Sequence, residues 1–205
     1  NAEVRFQDIE IVFGEYYFTD HLDDTLTPNF KDTVNPYVFD PVAASLAYNT
    51  DARLYRLPKG VYSGAHHFRM GLDSTANATP PSALREGHSL RHPGVHRGEG
   101  NGYNILYIKG LYRDAMDTTI LTPDKPFVYR VSNELMSLDW FKSMSFNVVP
   151  NRDVNINIVW DIDKLLLGVD PLLVDDLDVD PSDPIAAGLY PTIKGNMEAS
   201  YSIQL

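Results

Sequence analysis

The sequence predicts an all-β domain, a β-sandwich or barrel-like fold with long loops and one or two short helices. Three observations carry this expectation. Apolar residues recur with period two in several separate stretches, the pattern of strands with one buried face. Fourteen prolines and thirteen glycines are spread along the 205 residues, which suits many short elements joined by turns. Helical spacing is scarce. A chain of this length fills one domain, residues 1–205.

At the N-terminus, Val4 and Phe6 hold one register and Ile9, Ile11 and Phe13 the other. A bulge near Gln7-Asp8 reconciles the two in one strand. Pro41 to Leu46 reads as a helical turn or two. Residues 61–72 read as a strand with Tyr62, His66, Phe68, Met70 and Leu72 on its apolar face. Residues 73–102, rich in Pro, Gly, Ser, Asn and His, form a long loop of the kind that often carries function. Residues 103–112 are apolar on both faces, as in a central strand covered on each side. The turn residues Pro123-Asp124-Lys125-Pro126 precede a strand through Phe127, Tyr129 and Val131. Val154, Ile156, Ile158 and Trp160 mark a strand near 154–160. Residues 161–167, closed by Gly168, suggest a short helix with a glycine stop. Residues 169–196, rich in Asp and Pro, read as a second long loop. The chain then ends in a strand over 197–205, where Met197, Ala199, Tyr201, Ile203 and Leu205 alternate with polar residues.

Composition excludes several function classes. No stretch approaches the roughly 18 consecutive apolar residues of a spanning helix, so the chain is not expected to span a membrane. The net charge is -11, which repels phosphate backbones and argues against a nucleic-acid partner. The absence of cysteine removes disulfides, thiolate metal sites and C-x-x-C-H haem attachment. No nucleophile elbow, phosphate loop or H-E-x-x-H motif occurs, so no enzymatic activity is expected. Glu99 lies near the histidines and could act as a base, but the sequence shows no partner geometry for it.

Five of the six histidines lie between residues 66 and 96: His66, His67, His88, His92 and His96. Imidazole is the commonest metal-binding side chain and suits copper and zinc. His88, His92 and His96 are spaced four apart, but Pro93-Gly94 disfavours a helix that would stack them. The loop either wraps three imidazoles round one ion or is a solvated basic surface interleaved with Arg85, Arg91 and Arg97. His66, on the apolar face of its strand, is either a core histidine bonded to a carbonyl or a ligand reaching from the sheet. A metal, if bound, is expected beside residues 88–96 through His66, His88, His92 and His96. Neutral imidazoles would hold it, so affinity should fall below the ordinary histidine value of about 6.5. The nearby arginines should disfavour Zn²⁺ more than singly charged Cu(I).

Asp175, Asp176, Asp178 and Asp180 belong to an acidic stretch with no Lys or Arg among them. They are candidate calcium ligands, since Ca²⁺ takes several carboxylate oxygens, although the EF-hand pattern is absent. A solvated acidic loop, or one that attracts a basic partner, are the alternatives.

Leu57-Pro58-Lys59-Gly60-Val61-Tyr62-Ser63-Gly64 leads to Phe68-Arg69-Met70-Gly71-Leu72-Asp73-Ser74 and then Asn77. Further on come Gly102-Tyr103 entering a strand that closes on Gly110, the segment Val154 to Leu167, and Gly195-Asn196 before the C-terminus. In order and spacing, over about residues 50–205, this set resembles the MbnP-like family, the copper-binding proteins associated with methanobactin. The resemblance implies a mainly β, secreted, periplasmic or cell-surface domain, sometimes lipid-anchored; the chain, beginning at Asn1, is then expected to follow a cleaved leader. It also implies copper held by histidines and a tryptophan oxidised to kynurenine by a partner dihaem enzyme. The sequence departs from the family at the W-x-W segment that carries this tryptophan. Arg97 and Glu99 stand there, and the only tryptophans are Trp140 and Trp160, so the kynurenine chemistry is not carried over. Two functions follow as expectations: an extracytoplasmic metal-binding domain, copper first, or a structural or assembly subunit on the same scaffold, homo- or hetero-oligomeric, that has lost the copper site.

Overall fold

The computed structural model describes residues 2–19, 30–32, 37–39, 59–133, 138–179 and 184–204. Strand outweighs helix, as expected. The strands are β1 (Ala2–Thr19), β2 (Phe30–Asp32), β3 (Tyr37–Phe39), β4 (Gly60–Met70), β5 (Asn104–Asp114), β6 (Lys125–Ser132), β7 (Leu138–Val148), β8 (Asn157–Trp160), β9 (Asp176–Val179) and β10 (Tyr201–Gln204). The helices are α1 (Ser74–Ala78), α2 (Ile162–Leu165) and α3 (Pro184–Ser200). The predicted turn at Pro41–Leu46 lies outside the described residues.

One large sheet runs in the order β7-β4-β1-β5-β6-β9, with β2 and β3 also pairing β1; a second sheet is the pair β10-β8. All pairs are antiparallel except β6 with β9. The bulge expected near Gln7-Asp8 is present as a register shift between Phe6 and Asp8. It puts Ile9 and Ile11 on one face of the sheet and leaves Asp8, Glu10 and Val12 on the other. β5 is central, between β1 and β6, with Asn104, Ile105, Leu106, Ile108 and Tyr112 buried.

The main core lies on the first face. Ile9, Ile11, Met70, Leu106, Ile108, Phe127 and Tyr129 pack with Leu165, Val169, Ile193 and Met197. Each apolar side chain of this size contributes about 1.5–3 kcal/mol when fully buried. The covering layer is α2, α3 and the β8–β10 pair, with Trp160 resting on Phe13 at 6.1 Å between ring centroids. The architecture is therefore sandwich-like.

Three expectations about the C-terminal third need correction. The strand near 154–160 begins only at Asn157, and Val154 is exposed. The segment 169–196 is not an unpatterned loop, because it holds β9 and most of α3. The final strand starts at Tyr201, since α3 is a 17-residue helix running to Ser200, with Pro191 inside it. The alternation of Met197, Ala199 and Tyr201 straddles a helix-to-strand junction. What buries the helix is the series Ile193, Met197 and Ser200, spaced four and three apart along one helical face. Asn196 donates to the carbonyls of Leu165 (3.1 Å) and Leu167 (2.7 Å), so it closes the C-terminal end of α2. Gly168 follows with φ +77°, the left-handed stop expected there.

The opposite face carries a smaller core of Val12, Leu72, Leu90, Val95 and Tyr103. It is covered by residues 73–102, so this segment is a packed cap over the sheet. Its base is a clasp. Asp73 caps α1 by accepting from Ala76 N (2.8 Å). Asn77 Oδ1 accepts from Tyr103 N (3.0 Å), and the Tyr103 hydroxyl donates to Thr79 O (2.7 Å). Gly102, at φ +70°, lies so close to Asn77 that a Cβ would meet its amide at 2.9 Å.

Candidate functional site

Glu10, Tyr107, Arg130 and Asp178 stand opposite one another in register across β1, β5, β6 and β9. They form a transverse polar row on the sheet face under residues 92–101. Placing the cap there depends on main-chain and amide contacts. Asn104 N donates to Val95 O (2.7 Å), and Asn104 Nδ2 donates to Gly94 O (3.0 Å). Gly94 lies tight on the row: a Cβ there would come within 2.6 Å of both Glu10 Oε2 and the Tyr107 ring.

At the first end of the row, His92 Nδ1 contacts Glu10 Oε1. The Glu10 side chain is 2% exposed and that of His92 53%. Asp8 joins them: one ligand atom each from Asp8, Glu10 and His92 lies within 4.8 Å of the others. Among the described residues this is the only such group of three, and it gathers one imidazole and two carboxylates. An ion with nitrogen and oxygen preference would fit these donors. Burying a carboxylate is costly unless a positive partner is at hand, and both an imidazolium at His92 and a metal ion meet that need.

His88 and His96 are not brought to this group. His88 Nδ1 accepts from Leu90 N (3.2 Å) and caps a short 3-10 turn, Ser89–Arg91. His96 Nδ1 accepts from Gly98 N (3.3 Å). In a neutral ring the proton then sits on Nε2, which leaves neither nitrogen ready as a ligand. Burial, helped by the Arg85 charge, holds the His88 imidazole below its ordinary value. His66 is on β4, opposite Phe18 of β1 and Lys142 of β7; its side chain lies outside the described part. Glu99 is engaged by Ser82, from both its N–H (3.3 Å) and its hydroxyl (3.2 Å).

At the far end of the row, the acidic stretch is a strand rather than a loop. Leu177 is buried, and the flanking carboxylates face arginines. Both oxygens of Asp178 accept from Arg97 (2.6 and 3.0 Å), which also donates to Asn104 Oδ1 (3.0 Å). Asp176 accepts from Arg130 (2.9 Å). Asp175 is exposed, and Asp180 lies outside the described residues. Arg97 thus ties the cap to β9.

Asp8 and Glu10 escape a reading of the sequence because they alternate with Ile9 and Ile11 and so look like a solvated face. Val12 is the available signal. It continues the same face as Asp8 and Glu10 and is apolar, which implies a cover over that side of β1.

Between the cap and β5, β6 and β9 lies a cavity of about 570 Å³, half open to solvent and lined by His96, Arg97, Asn101, Tyr107, Arg130 and Asp178 among others. Burial, and then the charge of Asp8, raise the Tyr107 hydroxyl above the ordinary tyrosine value, with Arg130 opposing in part and Glu10 adding to the rise. No helix among the described residues is long and apolar enough to cross a membrane. Comparison with family models, with curated proteins and with solved structures finds no match.

Proposed function

We propose that this chain is an extracytoplasmic metal-binding domain of the MbnP-like kind, and that copper is held by His92, Glu10 and Asp8. The observation that supports this reading is the convergence of one imidazole and two carboxylates on a sheet face, with Glu10 almost fully buried. The export of the chain rests on the resemblance alone. The donor set revises the expected oxidation state. Two carboxylates carry two negative charges and favour a divalent ion, and Cu²⁺ heads the divalent series for nitrogen and oxygen ligands. Cu(I), which suited an all-imidazole loop, is disfavoured.

The second reading is a structural or assembly subunit on the same scaffold. One observation favours it: His92 pairs with Glu10, and that contact by itself joins the cap to β1. The replacement of the tryptophan segment by Arg97 and Glu99 points the same way.

A titration of the full chain with Cu(II), Zn²⁺ and Cu(I) separates the two. The metal reading expects one Cu(II) per chain, bound more tightly than Zn²⁺. It expects losses of roughly tenfold or more in His92→Ala, Glu10→Gln and Asp8→Asn, and much smaller changes in His88→Ala and His96→Ala. Electron paramagnetic resonance should show nitrogen coupling from a single imidazole. Absence of stoichiometric binding, or full affinity in His92→Ala, would hand the case to the structural reading.

A further inference from the structure

The cavity under residues 93–101 has a chemistry of its own. Its titratable lining is two arginines, one aspartate, His96 and Tyr107, and each arginine is paired with one carboxylate, Arg97 with Asp178 and Arg130 with Asp176. The aspartate is not available to a ligand in the ordinary way, because both oxygens of Asp178 accept from Arg97. Arg130 differs from Arg97. Its only hydrogen bond within the described residues runs from Nη1 to Asp176 (2.9 Å), and a guanidinium has five N–H groups. The others remain for solvent or a ligand. His96 accepts at Nδ1 from Gly98 N, so its neutral ring presents an N–H at Nε2. Tyr107 supplies a hydroxyl. Arg130, His96 and Tyr107 therefore line one wall system with donors, while the single carboxylate there is already neutralised.

We propose that this cavity is a binding site for a small organic anion bearing a carboxylate or phosphate group, with Arg130 as its main charge partner. Its volume, about 570 Å³, lies within the roughly 300–1,000 Å³ of small-molecule sites and exceeds what a bare inorganic ion fills. The planar guanidinium can engage a carboxylate or phosphate through two parallel N–H bonds. The partial exposure of Arg130, 33% for its side chain, leaves that edge accessible. This site adjoins the Asp8, Glu10 and His92 group, with Tyr107 opposite Glu10 in register, but uses other donors and does not depend on a metal being bound there.

The test is calorimetric titration of the full chain, with no metal added, using succinate, glycerol 3-phosphate, inorganic phosphate and the neutral analogue succinamide. Succinate or glycerol 3-phosphate should bind once per chain, and succinamide should bind at least tenfold more weakly. Arg130→Gln should weaken binding roughly tenfold or more, and Arg130→Lys less, since charge is kept and the fork is lost. Asp176→Asn, which also breaks the ion pair but frees Nη1, should bind as well as the parent or better, so that loss of the pair is separated from loss of the guanidinium. Failure of both organic anions to bind would overturn the proposal. So would binding of inorganic phosphate alone, equal binding of succinamide, or unchanged affinity in Arg130→Gln.

Discussion

The side-chain amide of Asn133 bonds both main-chain groups of Leu72: Oδ1 accepts from its N–H (2.6 Å) and Nδ2 donates to its carbonyl (3.0 Å). Both residues are buried, and they are 61 positions apart in sequence. Asn133 thus acts as a one-residue strand partner at the point where β4 hands over to the cap. Asn133→Ala would leave two buried main-chain groups without partners, at about 1–3 kcal/mol each. Urea unfolding of Asn133→Ala should show a loss of about 2–4 kcal/mol. Asn133→Asp, which keeps the acceptor and loses the donor to Leu72, should also destabilise. A change within about 0.5 kcal/mol, the range of ordinary surface substitutions, would contradict the clasp.

Gly94 is required by contact rather than by backbone conformation. Its added Cβ meets the Tyr107 ring and Glu10 Oε2, both at 2.6 Å, and neither is free to swing into solvent. Gly94→Ala should therefore lift the cap and cost about 1–3 kcal/mol, the usual range for overpacking. Where copper binds, the same variant should weaken it, because His92 travels with the cap. Thermal melts with and without Cu(II) measure both effects.

Gly195 is the converse case. It lies inside α3, and an added Cβ meets nothing within 4 Å. Alanine is favoured over glycine by about 0.5–1 kcal/mol in a helix interior. Gly195→Ala should raise stability by up to that amount. A destabilised variant would argue that the segment is the strand that its alternation suggests.

Alkaline titration should reveal the buried tyrosines. Tyr129 donates to Val174 O (2.6 Å), and burial, with Asp170 and Asp175 adding, pushes its hydroxyl far above the ordinary value. The folded state then holds this proton at pH values where the unfolded chain has lost it. The stabilisation is complete below the unfolded value of about 10 and is progressively lost as pH rises above it. Tyr107 contributes in the same direction. Tyr129→Phe should cost about 1 kcal/mol at neutral pH through the lost hydrogen bond and should flatten the decline above pH 10. An equally steep decline in Tyr129→Phe would show that Tyr129 is not its source.

How much of this was legible in the sequence differs along the chain. The β1 bulge could be read because Phe6 and Ile9 break a strict period of two, and a mixed register has few other solutions. The central position of β5 could be read because both of its faces are apolar. The C-terminal helix could not, since Pro191, Gly188 and Gly195 all lower helical propensity and only tertiary packing of Ile193 and Met197 outweighs them. For the site, His92 was visible as one of a cluster of histidines. Asp8 and Glu10 were not, because the cover over their face is assembled from residues some 80 positions away. The separate roles of the three loop histidines depend on which ring nitrogen meets a main-chain N–H, and spacing in the sequence does not encode that.

The short acidic strand β9 ends the described sheet, and this has a consequence for how copies of the chain meet. The outer strand of any sheet offers its peptide groups to a passing strand. Here it is four residues long, and Asp176, 74% exposed along its side chain, stands beside Asp178 and the exposed Asp175. A second copy adding edge to edge would bring carboxylates against carboxylates. Aspartates that look like a calcium loop thus stand as a fence against self-templated growth of the sheet.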